Sequence, residues 1–314
     1  MKILIADDDP VSRCFMGRIL QKSGYEVLTA ENGAQALEEL SRQDGPRLAL
    51  LDWMMPELDG LEVCRQVRNR RGQPYIHITL LTSKMSNNDV VAGLEAGSDD
   101  YLTKPCNPEE LKARLRTGQR VLHLEDTLVE AREEMRFKAT HDALTGLWNR
   151  EAILALLGIE LNRSAQEHAP VSLLLCDVDH FKHVNDVHGH LVGDEMLRQV
   201  AARLQDSVRA LDAVGRYGGE EFLILLKGCA STQVRDRAER VREAVACGSF
   251  PIENGALSVS LSVGTLAVDD WNIALPIEPL LKEVDAALYL AKSTGRNRVV
   301  CGANHTSQRA RAML

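Results

Sequence analysis

At 314 residues the chain is longer than one ordinary domain, so two compact domains are the natural expectation. A composition of 45% hydrophobic and 26% charged residues is that of a globular protein with ample core. The net charge of −8 argues against a nucleic-acid-binding surface, which would be basic, but leaves a nucleotide substrate open, because a bound cation can offset phosphate charge. The cysteines (Cys14, Cys64, Cys106, Cys176, Cys229, Cys247, Cys301) lack the short spacings of zinc or redox motifs and read as reduced, small apolar residues. Residues 2–6 lead straight into acids instead of a signal-peptide core, and no apolar run could cross a bilayer. The expectation is a cytoplasmic protein without membrane insertion.

The first half alternates β-rich runs at 3–6, 26–30, 49–51, 77–81 and 100–102 with helical patterns at 11–23, 34–42 and 58–70. That alternation predicts an α/β doubly wound parallel sheet, with functional groups at the carboxyl ends of the strands. Asp7 and Asp8 end the first strand, Asp52 the third and Thr82 the fourth, and Lys104 follows the fifth. Carboxylates converging on one sheet edge repel unless a cation joins them. Magnesium and Lys104 could both serve, freeing Asp52 to take a phosphoryl group. The plainer alternative is strand-end acids that cap helices and face water.

Asp52-Trp-Met-Met-Pro-Glu-Leu-Asp-Gly60, Leu81-Thr-Ser83 and Tyr101-Leu-Thr-Lys-Pro105 resemble the receiver domain of bacterial response regulators, with its flavodoxin-like fold, over residues 1–120. The resemblance implies magnesium held by Asp7, Asp8, Asp52 and the Met54 carbonyl. It further implies Asp52 as phosphoacceptor from an upstream histidine kinase, Lys104 paired with the phosphoryl group, and Thr82 and Tyr101 as switch residues.

From Pro108 to about residue 139 no further proline occurs. Val121, Leu124, Leu128, Ala131 and Met135 repeat at three- and four-residue spacing, a short coiled-coil-like seam. Residues 121–140 are expected to form a helical linker that pairs with its twin in a homodimer. A single amphipathic helix packed on its own domain is the alternative.

In the second half, Arg216-Tyr-Gly-Gly-Glu-Glu-Phe222 lies between two apolar runs. The expectation is a hairpin whose glycines, Gly218 and Gly219, take positive φ and leave room for a ligand, with Glu220 and Glu221 on its shoulder. Such acids suit a metal-bound nucleotide phosphate, since magnesium takes hard oxygen ligands.

This segment resembles the signature of the diguanylate cyclase (GGDEF) family. Four further stretches match in order: 142–150, 173–186, 189–195 with Gly189-His190 and Gly193-Asp194-Glu195, and 291–297. The resemblance spans 141–302 and implies an α+β domain like nucleotidyl cyclase and polymerase palm folds. It implies that two GTP are condensed to cyclic di-GMP and two pyrophosphates. Asp177, the Val178 carbonyl and Glu220 would hold Mg2+, with Mn2+ able to substitute. Glu221, Lys292 and Arg296 would join Glu220 in catalysis. Phe181 and Lys182 would serve the phosphates, with Gly218 and Gly219 at the substrate. Asn185 and Asp194 would read guanine, although a loop former and a helix cap are generic alternatives for this pair.

One domain holds one GTP and the product joins two, so two domains must meet face to face. A phosphorylated receiver that dimerises would control the rate through effective concentration. Arg209-Ala-Leu-Asp212 resembles the family's inhibitory product site, with Arg240, and Arg163 from a neighbouring domain, completing it. Two other readings stay open: a non-catalytic cyclic di-GMP effector, and a response regulator whose second half scaffolds proteins. The polar, basic stretch 303–314 is expected to be disordered.

Overall fold

The computed structural model describes residues 1–70, 72–83, 87–252, 255–269 and 276–302; the stretch expected to be a disordered tail lies outside the described residues. The chain divides into two compact units, residues 1–133 and 134–314.

The first unit runs β1 (Lys2–Ala6), α1 (Pro10–Lys22), β2 (Glu26–Ala30), α2 (Gly33–Glu39), β3 (Leu48–Asp52), α3 (Gly60–Arg68), β4 (His77–Thr82), α4 (Asn87–Glu95), β5 (Asp100–Thr103) and α5 (Pro108–Thr140). All five strands pair in parallel in the order β2-β1-β3-β4-β5. The expected doubly wound sheet is therefore present, with α4 as a helix that the sequence pattern did not single out. Winding reverses between β1 and β3, which sets the carboxyl ends of these two strands side by side. β3 is buried along its whole length, as a parallel strand covered on both faces must be. Asp9 caps α1 by accepting from the Val11 and Ser12 amides ahead of Pro10 in the first turn. Asp59 caps α3 through the Glu62 amide. A Cβ on Gly60 would lie 2.4 Å from the Asp52 carbonyl oxygen, so only glycine lets α3 start against the end of β3.

α5 is one unbroken helix about 50 Å long. Leu111, Leu115, Gly118 and Leu122 are its buried positions. Along the seam Leu124, Leu128 and Met135 are 67%, 64% and 72% exposed.

The second unit runs α6 (Arg150–Glu167), β6 (Val171–Val178), α7 (Phe181–His188), α8 (His190–Ser207), β7 (Ala213–Arg216), β8 (Glu221–Lys227), α9 (Ser231–Ala246), β9 (Phe250–Ile252), β10 (Gly255–Leu257), β11 (Leu261–Val268), α10 (Ile277–Ser293) and β12 (Val299–Cys301). Its main sheet has the order β12-β11-β6-β8-β7, antiparallel except for β11 with β12. β6 is the middle strand and wholly buried, with alternate residues on opposite faces. Leu174, Cys176 and Val178 join the core made with α8 and α9, whereas Leu173 and Leu175 join the core made with α6 and α10. A strand clamped between two cores gives its end residues a fixed position.

Candidate catalytic and phosphoacceptor sites

In the first unit, the ends of β1 and β3 bring Asp7, Asp8 and Asp52 together, each offering an oxygen within 4.8 Å of the others. Lys104, just past β5, reaches in with its Nζ 2.6 Å from Asp7 Oδ2 and 3.0 Å from Asp52 Oδ2. Asp7 is fully buried and Asp8 exposed; Asp7 also accepts from the Ser12 hydroxyl at 2.8 Å. Burial pushes the Asp52 carboxyl above its ordinary range; Lys104 pulls it back, while Asp7 and Asp8 push with burial. Burial alone would lower the Lys104 ammonium, but its bonds to Asp7 and Asp52 prevail and hold it above its usual value. The three clustered carboxylates make a hard-oxygen set that fits a divalent cation, and the Lys104 ammonium offsets part of their charge. Thr82, buried, ends β4, Tyr101 is half-buried on β5, and Met54 is exposed beyond β3.

In the second unit, Asp177 near the end of β6 pairs in register with Glu221, the first residue of β8. β7 and β8 form the expected hairpin, closed by residues 217–220, with the Tyr217 and Gly218 amides both donating to the Glu221 carbonyl. The Val178 amide donates to the Glu220 carbonyl at 3.2 Å, which ties the turn to β6. Neither Gly218 nor Gly219 takes positive φ, which corrects the sequence expectation. A Cβ on Gly218 would meet Glu221 Oε2 at 2.8 Å, a contact that a turn of that carboxylate could relieve, while Gly219 faces open room.

Asp177, His180, Phe181, Lys182, His183, Asp186, Glu220, Lys292 and Arg296 line one pocket of about 540 Å³. Lys292, in the last turn of α10, sets its Nζ 2.6 Å from Asp177 Oδ2. Burial raises both Asp177 and Glu220; Lys292 opposes this in each, and the charge of Asp177 adds to the rise at Glu220. The two carboxylates, Asp177 and Glu220, form a donor pair suited to a hard cation. Glu221 does not line the pocket; its carboxylate lies against the turn at Gly218. Phe181 is buried in the core, so its side chain packs, and its amide stands at the start of α7. No side chain caps that helix, whose N-cap, His180, stands at φ 58°. A helix start with uncapped amides attracts anions.

Asn185 and Asp194 occupy neither of the generic roles considered. Asn185 lies inside α7, and Asp194 lies inside α8, whose cap position is Gly189. Asn185 Oδ1 is buried without a hydrogen-bond partner, and a Cβ on Gly193 would lie 1.9 Å from it. A buried polar atom left unpaired calls for an explanation, and a ligand is one.

Of the expected inhibitory-site residues, Arg209, Arg240 and Arg163 are exposed. Asp212 is buried and already engaged: it accepts from the Arg209 amide at 2.9 Å, from the Lys227 amide at 3.1 Å and from the Arg237 guanidinium. Arg163 pairs with Glu167 and lines a cleft beside Leu211 in the same unit.

Sequence reasoning missed Arg216 as a working residue. It donates to the Gly219 carbonyl through Nε at 3.1 Å and Nη2 at 2.8 Å. Its Nη1 reaches both oxygens of Asp142. A fork-shaped guanidinium can hold a turn and a carboxylate at once. Its place one residue before Tyr217, opposite an acid in the 142–150 motif, was the available signal.

Residues 139–298 match the family model described as "Diguanylate cyclase, GGDEF domain", just over half of the chain. The chain belongs to the GGDEF family. Residues 3–116 match the response regulator receiver domain, so this GGDEF protein carries a receiver in its first unit. Over 301 residues the chain is 32% identical to the response regulator PleD of Caulobacter vibrioides, covering 95% of this chain and 65% of the relative's length. The crystal structure of the coiled coil and GGDEF domain of DgcB from Caulobacter crescentus, in complex with c-di-GMP, superposes with a TM-score of 0.54 at 29% identity. It covers 61% of this chain and 99% of that one. The diguanylate cyclase SiaD of Pseudomonas aeruginosa, solved with its activator SiaC, gives a TM-score of 0.51 at 33% identity, over 62% of this chain and 75% of that one. Among the described residues, no helix is long and apolar enough to cross a membrane.

Proposed function

We propose that this GGDEF protein is a phosphorylation-controlled diguanylate cyclase that joins two GTP into cyclic di-GMP and releases two pyrophosphates. The reading rests on one observation: Asp177, Glu220, Lys292 and Arg296 converge on a single pocket beside the uncapped start of α7. Asp177, Glu220 and the Val178 carbonyl would hold Mg2+, which would polarise the α-phosphate and offset charge on the leaving pyrophosphate. The α7 amides and Lys182 bind triphosphate oxygens, and Lys292 and Arg296 take up the charge that grows on the leaving group. Asn185 and Asp194 orient the guanine. The 3′-hydroxyl of one nucleotide forms the new P–O bond to the other's α-phosphorus as the bond to the β-phosphate breaks. This happens twice across a homodimer.

In the first unit, Asp52 accepts a phosphoryl group from a histidine kinase, with Lys104 moving from carboxylate to phosphoryl oxygen as the new charge appears. Thr82 and Tyr101 respond, and the competent dimer gains population. The product returns to exposed Arg209, Arg240 and Arg163, with Asp212 bracing the Arg209 turn.

The test is chromatography of protein incubated with GTP and Mg2+, with and without beryllium fluoride as a phosphoryl mimic. Cyclic di-GMP that increases with the mimic is the expected result. Product indifferent to the mimic would leave the cyclase and remove the receiver control. No product from folded, nucleotide-free protein would overturn the activity.

A further inference from the structure

Asp179 stands two residues beyond Asp177, is 3% exposed, and has no part in the chemistry above. Its carboxylate nonetheless accepts three hydrogen bonds. Oδ1 accepts from the Ser262 hydroxyl at 2.6 Å. Oδ2 accepts from the Ser260 hydroxyl at 2.6 Å and from the Asn297 amide at 3.0 Å. Its own amide donates to the Ser260 carbonyl at 3.0 Å. One buried side chain thus joins the end of β6, the start of β11 and the turn between α10 and β12.

That turn is unusual. Arg296 and Asn297 both stand in the left-handed region, at φ 59° and 44°. A left-handed conformation outside glycine costs energy and persists where surrounding bonds hold it. Arg296, which lines the pocket, is the costlier of the two, since asparagine tolerates this region better. The holding bonds are the Arg296 amide on the Ala291 carbonyl at 3.0 Å, Asp179 on the Asn297 amide, Arg242 Nη1 on Asn297 Oδ1 at 2.7 Å, and Arg298 Nε on the Arg296 carbonyl at 3.0 Å. Two of these come from buried groups: the Ala291 carbonyl ties the turn back to its own helix α10, whereas Asp179 ties it across to the end of β6.

We infer that Asp179 is a positioning residue that acts through Arg296. By fixing the Asn297 amide to the end of β6, it keeps Arg296 turned to the nucleotide phosphates at a constant distance from Asp177. The inference rests on the guanylyl-transfer reading and deepens it, since it assigns what sets the phosphate-binding cation in place. A charge-assisted bond to a backbone amide suits the task, being short and directional.

The test is binding of a non-hydrolysable α,β-methylene GTP analogue with Mg2+ to the full chain, in a double-mutant cycle. Asp179→Asn keeps the size but places an amide N–H2 toward the donors. It should weaken binding about tenfold in the wild-type background and less than about twofold beside Arg296→Ala, because the interaction it supports is already gone. Equal losses in both backgrounds, or an Asp179→Asn variant with a lowered Tm and unchanged affinity, would overturn the inference and leave a purely structural role. Should Asp179→Asn not fold, Ser260→Ala removes a donor from the same oxygen that takes the Asn297 amide. It should give a smaller loss with the same dependence on Arg296, and an additive loss would overturn the inference. Wild-type protein that binds no analogue would overturn the guanylyl-transfer reading and this inference together; wild-type binding with an unaffected variant would overturn this inference alone.

Discussion

At the scale of single residues, the second unit places its site by leaving atoms out. Gly193 has no side chain because Asn185 Oδ1 occupies that space, and Gly219 faces open room where a ligand can approach the main chain. The Gly193→Ala methyl would have to push the Asn185 amide away. If that amide contacts the purine, affinity for a GTP analogue should fall about tenfold or more, close to 1.4 kcal/mol. An unchanged Kd by titration calorimetry would show that Asn185 does not touch the base. The signature glycines were legible in the sequence; their reason was not. A run of letters shows that a side chain is missing, but φ and the neighbour that fills the space arise only on folding.

At the scale of elements, each chemical group sits at the end of a strand or helix clamped by core. Lys292 depends on α10 lying hard against β11: a Cβ on Gly264 would come within 2.4 Å of the Leu288 amide nitrogen and the Val284 carbonyl oxygen. Backbone cannot step aside as a flexible side chain can. Gly264→Ala is therefore expected to destabilise the second unit by about 1–3 kcal/mol, read as a lower midpoint in urea. It should also lower turnover through the displaced lysine, and a variant with wild-type midpoint would show that α10 and β11 have room to spare. The strands of the first half were readable from alternating patterns and turn signals. Strand order was not, and strand order is what brings Asp7 beside Asp52 while Lys104 arrives from β5.

At the scale of the whole molecule, two predictions follow from surfaces and charge. Leu124 and Leu128 are exposed along α5, where paired helices would bury them. The double change Leu124→Glu, Leu128→Glu should weaken dimerisation in the presence of beryllium fluoride, and an unaltered mass by light scattering would count against the seam. His77 is buried against Gly118 of α5, and burial lowers its pKa below the ordinary 6.5, with Asp99 and Asp100 opposing. The folded chain therefore refuses a proton that the unfolded chain takes. Nothing is lost above the unfolded pKa; as pH falls through about 6.5, stability of the first unit declines until the folded group also protonates. His77→Gln should shrink the drop in Tm between about pH 7.5 and pH 5.5. An equal drop in both proteins would mean that other groups carry the acid response.

The sequence by itself determined the family and the fold class, because these reside in short motifs whose residue types are dictated by local chemistry. An acid at a strand end, an amide within a helix turn and a lysine before a proline can all be read in place. Only the tertiary structure decided what those groups do to one another. Asp212 proved to be engaged by Arg237 and two amides, Glu221 to lie against Gly218, and Arg216 to hold the turn through Gly219 and Asp142. Asp179 proved to tie β6 to the turn that carries Arg296. Each of these partners lies far along the chain, or across a turn, and a bond between distant residues exists only once the sheet has brought them within about 3 Å.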